Sequence, residues 1–196
     1  MQRRRFIAMS SAVLASSGLS LTGCTTTLPS SHASPDANAG RRKSIDADVE
    51  ATLLRLYSTV QGSRELADRA KGLLVFPSVI SAGFWFGGQY GRGALRIREQ
   101  TNGYFSIAAA SFGLQIGAQS KAIVMLFMTQ AALDEFVNSQ GWAAGLDATV
   151  AVVQVGANGT VDTSTAMSPV EAFVLTNAGL MAGVSLEGTK ISRLVI

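Results

Sequence analysis

The sequence predicts an α+β fold: an N-terminal helix packed on a strongly curved antiparallel β-sheet or open barrel, with a short helix near 130–137. Three observations carry that expectation. Ile45, Val49, Leu53, Leu56 and Val60 recur at steps of four and three, which makes one apolar stripe along a helix. From Lys71 to Lys121, apolar and aromatic residues are interleaved with glycines and almost no charge intervenes; Arg96 and Arg98 alternate there with Leu95 and Ile97, the period of a half-buried strand. The C-terminal half is a run of short apolar segments with turn signals between them, as in an antiparallel meander.

The folded part does not begin at Met1. Arg3, Arg4 and Arg5 form a charged leader, and Phe6 to Leu21 is apolar but too short to span a bilayer comfortably. Leu21-Thr22-Gly23-Cys24 has the lipobox pattern of bacterial lipoproteins. Cleavage between Gly23 and Cys24 is therefore expected, with the Cys24 thiol carrying the acyl glycerol. The leader fits export by either the general or the twin-arginine route. Several acyl chains bind a membrane far more strongly than one, since each buried methylene adds ~0.8 kcal/mol. By resemblance to Gram-negative lipoproteins, Thr25 after the cysteine, rather than Asp, favours the outer membrane facing the periplasm.

Processing also changes the charge. The chain has 16 Lys and Arg against 13 Asp and Glu, net +3; three of those arginines and none of the acids lie in residues 1–23. The mature chain is neutral overall, so bulk charge gives no case for nucleic acid. Cys24 is the only cysteine, and an intrachain disulfide is impossible.

Residues 24–43 read as the lipidated cysteine and a flexible tether rich in Ser, Thr, Pro and Ala. Arg41-Arg42-Lys43 close it, either as a solvated basic patch or as a contact for anionic headgroups at ~1 kcal/mol per basic residue. The domain is then 44–196. Ser44 can cap a helix whose first turns carry Asp46, Asp48 and Glu50, and Gly62-Ser63 separates it from a second short helix over Arg64 to Ala70. Strand pattern follows Phe76-Pro77, and Asn102-Gly103 marks a hairpin between Ala94–Glu99 and Tyr104–Ala110. Ala122 to Met128 is apolar on both faces, as a central strand should be. Thr129 can cap a helix through Val137 with Leu133, Phe136 and Val137 inward. Gly156-Ala157-Asn158-Gly159 suggests a hairpin between Thr149–Val155 and Thr160–Thr165. Asn177-Ala178-Gly179 and Glu187-Gly188 are the last turns.

The chemistry of catalysis is scarce. His32, the only histidine, lies in the tether, so the domain has no His base, no Cys nucleophile and no His/Cys zinc set. Ser120 and Lys121 are adjacent, unlike a Ser-x-x-Lys pair, and no Gly-x-Ser-x-Gly elbow occurs. Gly88, Gly91 and Gly93 are not followed by Gly-Lys-Ser/Thr and make no phosphate loop. No catalytic residue, metal or cofactor is therefore assigned.

From about Ala70 onward the sequence resembles the SYLF domain family, lipid-binding modules of yeast and animal actin-patch proteins, of plant FYVE-containing proteins and of bacterial lipoproteins. The resemblance is carried by Gly72-Leu73-Leu74-Val75-Phe76-Pro77, Ala82-Gly83-Phe84 with Gly87-Gly88, and Gly91-Arg92-Gly93. The run from Ser106 to Gln119 is its most specific part, and Lys121 to Thr129, Gly141-Trp142, Val155 to Gly159 and Gly179-Leu180 also fit. It implies binding of membrane lipid, phosphoinositides in eukaryotic members and sometimes actin. This sequence shows no SH3 or FYVE module, and its helix opens acidic where those members carry a basic amphipathic one. Lipid association carries over as a class, without a headgroup.

The candidate lipid-binding residues are Arg41, Arg42 and Lys43, the aromatic cluster Phe84-Trp85-Phe86, and Arg92, Arg96 and Arg98. The aromatic cluster would be core, or an exposed edge or pocket lining that takes an acyl chain. The arginines would be a solvated strand face, or would meet phosphate beside it. The expected partners are membrane lipid or, alternatively, an envelope protein held at a sheet edge or at the aromatic cluster; a hydrolase using carboxylates or a serine is the third possibility.

Overall fold

The computed structural model describes residues 34–83, 86–112, 117–153, 161, 168–181 and 184–196. Helix α1 runs Pro35–Thr59, nine residues upstream of the expected start at Ser44. Its N-cap is Ser34, whose Oγ accepts from the Ala37 amide at 3.3 Å, with Pro35 in the first turn. The segment read as the end of a tether is thus helical from residue 35. Residues 35–37 and 39–41 are exposed, so this extension has no apolar face to announce it. It forms because adding a turn to a nucleated helix costs far less than starting one.

Further along α1 the predicted stripe is buried: Ile45, Val49, Leu53, Leu56 and Val60 lie between 0 and 8% exposed. Removing a side chain of this kind to Ala typically costs about 2–5 kcal/mol. The helix stops at Val60, and Ser63, at the start of α2 (Ser63–Arg69), donates its hydroxyl to the Val60 carbonyl at 2.6 Å. That bond satisfies one of the carbonyls a helix end leaves open.

Four long strands follow: β1 (Gly72–Gly83), β2 (Phe86–Ile97), β3 (Gln100–Phe112) and β4 (Gly117–Phe127). Then come α3 (Gln130–Asn138), β5 (Trp142–Ala143), β6 (Val150–Val152), β7 (Val170–Thr176), β8 (Gly179–Leu180) and β9 (Lys190–Leu194). The sheet order is β5-β9-β3-β2-β1-β4-β7-β6, with β8 paired to β7. It curls into an open half-barrel, in line with the expected curved sheet.

Two expectations about pairing are corrected. The sheet is mixed, because β6 pairs with β7 in parallel. The expected hairpin at Gly156–Gly159 falls largely outside the described residues; Val161, which is described, donates its amide to the Gln61 carbonyl at the α1–α2 junction. Nor is the C-terminal half a meander: β9 crosses to the other side of the sheet and pairs with β3.

Central position explains the sequence of β4. Ile123, Met125 and Phe127 face one core with α3, and Ala122, Val124 and Leu126 face a second core with α1 and α2. In the first core Phe136 of α3 stacks 4.9 Å from both Phe105 and Phe127 and meets Trp142 edge-on at 5.8 Å. Thr129 caps α3 as expected, its Oγ1 accepting from the Ala132 amide.

Pro77 sits inside the central strand β1, where its missing N–H should cost a ladder bond. The register of β1 shifts at that point against both neighbours, so Pro77 occupies a bulge.

The turn between β2 and β3 is at Arg98-Glu99, not Asn102-Gly103. Both have positive φ, 50° and 66°, as a two-residue type I′ turn requires. Asn102 is instead the extra residue of a bulge, since Leu95 pairs Gly103 while Arg96 pairs Thr101. Burial decides between the two turns. In the observed register Leu95, Phe105 and Ile107 share the α3 face of the sheet. A two-residue turn at Asn102-Gly103 would shift the pairing by an odd number of residues and put Phe105 and Ile107 on the face opposite Leu95.

Candidate functional site

The two faces of the sheet set the site. On β2 the residues Tyr90, Arg92, Ala94 and Arg96 share the α1 face, while Gly91, Gly93 and Leu95 share the α3 face. Gly91 and Gly93 are there for space. A Cβ on Gly93 would overlap the Val75 carbonyl oxygen, and one on Gly91 would lie 2.7 Å from the Ser78 carbonyl oxygen. The Gly-Arg-Gly motif therefore lets two strands and the Phe76 ring close up on one face while it projects Arg92 from the other.

Helix α1 covers only part of its face. Asp46 clamps it in place: its Oδ2 accepts from the Tyr104 hydroxyl at 2.8 Å and its Oδ1 from Thr101 Oγ1 at 2.9 Å. Burial, and then the hydrogen bond and charge of Asp46, push the Tyr104 phenol up to about 12. Glu50 lies 3.7 Å from Arg96, whose Nη2 also donates to the Glu99 carbonyl in the β2–β3 turn. The acids expected at the helix N-terminus are thus in its middle, and two of them hold it to the sheet.

Beside that clamp, α1 and the sheet border a shallow cleft of about 260 Å³. Arg41, Ser44, Ile45 and Asp48 line it from α1, and Pro77, Ser78, Ile80, Tyr90 and Arg92 from β1 and β2. Ile80 and Tyr90 are directly opposed in the β1–β2 ladder and are 54% and 52% exposed, so the cleft opens beside an apolar surface. Ser78 is opposite Arg92, and its hydroxyl lies 3.0 Å from that of Ser120.

The candidates from sequence separate accordingly. Arg41 and Arg92, assigned to different stretches, meet in this one cleft. Arg42 does not join them; its Nη1 donates to the Ile196 carbonyl at 2.7 Å. Arg96 is engaged by Glu50 and Glu99, and exposed Arg98 forms the β2–β3 turn. Lys43 is exposed on α1 and is not among the residues lining the cleft. Phe84 and Trp85 lie outside the described residues, as do Gly23, Cys24 and the side chain of Phe86. Ile80, Tyr90 and Asp48 were not singled out. Tyr90 stands two residues before Arg92, so the strand period alone places them on one face; Asp48 needed the helix position.

Among the described residues, no three His, Cys, Asp or Glu are grouped to hold a metal, and no helix is long and apolar enough to cross a membrane.

A helix braced on a curled sheet beside an open, charged and apolar cleft has the build of a binding domain. Residues 108–194 match the family described as "Ysc84: Las17-binding protein actin regulator", in line with the resemblance of the sequence to SYLF domains. The chain is also similar to an SH3 domain-containing protein of Schizosaccharomyces pombe, 29% identical over 176 residues that cover 83% of this chain and 38% of that protein. The chain thus spans well under half the length of that relative. The cleft residues Arg41 to Arg92 precede the segment matched to the family.

Proposed function

We propose that this protein is a lipoprotein of the bacterial envelope whose domain binds membrane phospholipid at the α1–β1–β2 cleft, without catalysis. One observation carries the proposal: Arg41 and Arg92 line the same cleft as exposed Ile80 and Tyr90. Guanidinium groups are suited to phosphate oxygens by their fork of donors. Exposed aliphatic and aromatic side chains beside them can enter the boundary between headgroups and acyl chains. In this reading the acyl chains on Cys24 hold the protein at the outer membrane, facing the periplasm, and the cleft orients it there.

The test is co-sedimentation with liposomes of a form beginning at Thr25, which lacks the acyl group and keeps the compact unit Ala33–Ile196. Binding should weaken in the double charge reversal Arg41→Glu with Arg92→Glu, and in Ile80→Ser with Tyr90→Ser. Reversal of Lys43, outside the cleft lining, should matter less. Wild-type binding that ignores both double variants would remove the cleft from the proposal. The description of the matched family supports a second reading, a protein partner. Absence of binding to every vesicle would shift the weight to it.

A further inference from the structure

We propose that the cleft selects a zwitterionic headgroup of the phosphoethanolamine type, with Arg41 and Arg92 on the phosphate and Asp48 on the ammonium. This rests on the lipid reading above and adds the chemistry of the headgroup. Arg41, Ser44, Ile45 and Asp48 stand at i, i+3, i+4 and i+7, on one face of α1, with Arg41 and Asp48 about 10 Å apart along the axis. Arg92 reaches the same space from β2.

The pattern of partners singles out these three. Asp46 is bound to Thr101 and Tyr104, Glu50 to Arg96, and Arg42 to the Ile196 carbonyl. Among the described residues, the side chains of Arg41, Asp48 and Arg92 have no hydrogen bond or ion pair, although all three line one cleft. Two guanidiniums and a carboxylate held apart rather than paired are complementary to a ligand that carries both signs. A phosphoglycerol headgroup carries no cation and can offer Asp48 only neutral hydroxyl donors, so the carboxylate favours the ammonium over it. A primary ammonium has three donors, and the Asp48 carboxylate with the hydroxyls of Ser44 and Ser78 supplies acceptors in the same lining. A trimethylammonium group offers no such donor. The glycerol end would then lie toward Ile80 and Tyr90 and the bilayer.

The experiment compares the form beginning at Thr25 with its Asp48→Asn variant on three vesicles: phosphatidylcholine alone, and phosphatidylcholine mixed with phosphatidylethanolamine or with phosphatidylglycerol. Asp48 is exposed, so the substitution should leave the fold intact, which circular dichroism checks. Wild type should bind the ethanolamine vesicles about fivefold more tightly than either other kind, the scale of a partly exposed ion pair. Asp48→Asn should lose that preference and gain affinity for phosphatidylglycerol. The variant separates headgroup contact from the looser packing of ethanolamine lipids, because it does not alter the bilayer. Tighter wild-type binding to phosphatidylglycerol, or an ethanolamine preference unchanged in Asp48→Asn, would overturn the headgroup assignment and leave the lipid reading standing. Failure to bind any vesicle would overturn both.

Discussion

Tyr104 of β3 donates its hydroxyl to Asp46 of α1 at 2.8 Å, and Thr101 donates to the other oxygen of the same carboxylate. One acid thereby fixes where the long helix crosses the sheet, and so where the cleft begins. Asp46→Ala should lower stability by about 1–3 kcal/mol in urea unfolding, since two hydrogen bonds to a charged acceptor are lost at a partly buried place. The alkaline limb gives an independent check. The Tyr104 phenol is raised from 10.0 to about 12 in the folded protein, so the folded state holds that proton more tightly than the unfolded one. Its contribution is intact below pH 10 and fades as pH climbs from 10 through about 12. In an ultraviolet titration of phenolate, Tyr104→Phe should delete a late-titrating group among the three tyrosines, and Asp46→Asn should bring that group back toward 10.

Gly93→Ala should fold poorly or not at all. Its Cβ would overlap the Val75 carbonyl, a backbone atom in the central strand that cannot step aside, and would stand 2.8 Å from the Phe76 ring. Gly40→Ala is the opposite case. Nothing lies within 4 Å of its would-be Cβ, and it sits within α1 on an exposed turn. Alanine there should raise stability by about 0.5–1 kcal/mol through helix propensity alone. Thermal melts of the two variants side by side separate a glycine needed for space from one that is not.

Much of this fold can be read from the residues, and the misses share a cause. The α1 stripe, the two-faced burial of β4 and the Thr129 cap are local patterns, and all three are found in place. The upstream turns of α1 are not legible from hydrophobicity, because they bury no large apolar side chain; the signal that was present is Ser34-Pro35-Asp36, a cap followed by proline in the first turn. The parallel pairing of β6 and the return of β9 to β3 depend on partners far along the chain. The cleft was half legible. Arg41 and Arg92 were each named, but they stand 51 positions apart in the sequence, and only the crossing of α1 over β1 and β2 brings them together.

The β2–β3 turn offers a direct measure of strain. Arg98 and Glu99 both adopt left-handed backbone, which costs a non-glycine residue roughly 1–2 kcal/mol. They hold it because the buried register of Leu95, Phe105 and Ile107 leaves no other place for the chain to reverse. Glu99→Gly should therefore stabilise the protein by about 1 kcal/mol, less the entropy glycine adds to the unfolded chain. The Glu99 carbonyl remains available to Arg96, so the turn keeps its side-chain bond. A lowered urea midpoint would show that the side chain of Glu99 contributes more than its backbone costs.

Glu171 is 2% exposed on β7, on the same face as Phe173 and Leu175, and its Oε1 has no hydrogen-bond partner among the described residues. Burial raises its carboxyl above the ordinary 4.5, opposed by the charge of Arg69. The folded state therefore binds this proton more readily than the unfolded state does. Stability is greatest below pH 4.5 as far as this group is concerned, and declines as pH rises through the raised folded value. Glu171→Gln keeps the shape and the donor of the protonated acid and removes the charge. It should raise the urea midpoint at neutral pH, and the gap to wild type should close as pH falls into the carboxylate range. A gap independent of pH would mean that the gain comes from packing or from the added amide and not from relief of a buried charge; a loss at neutral pH would mean that Arg69 stabilises the ionised form more than burial penalises it.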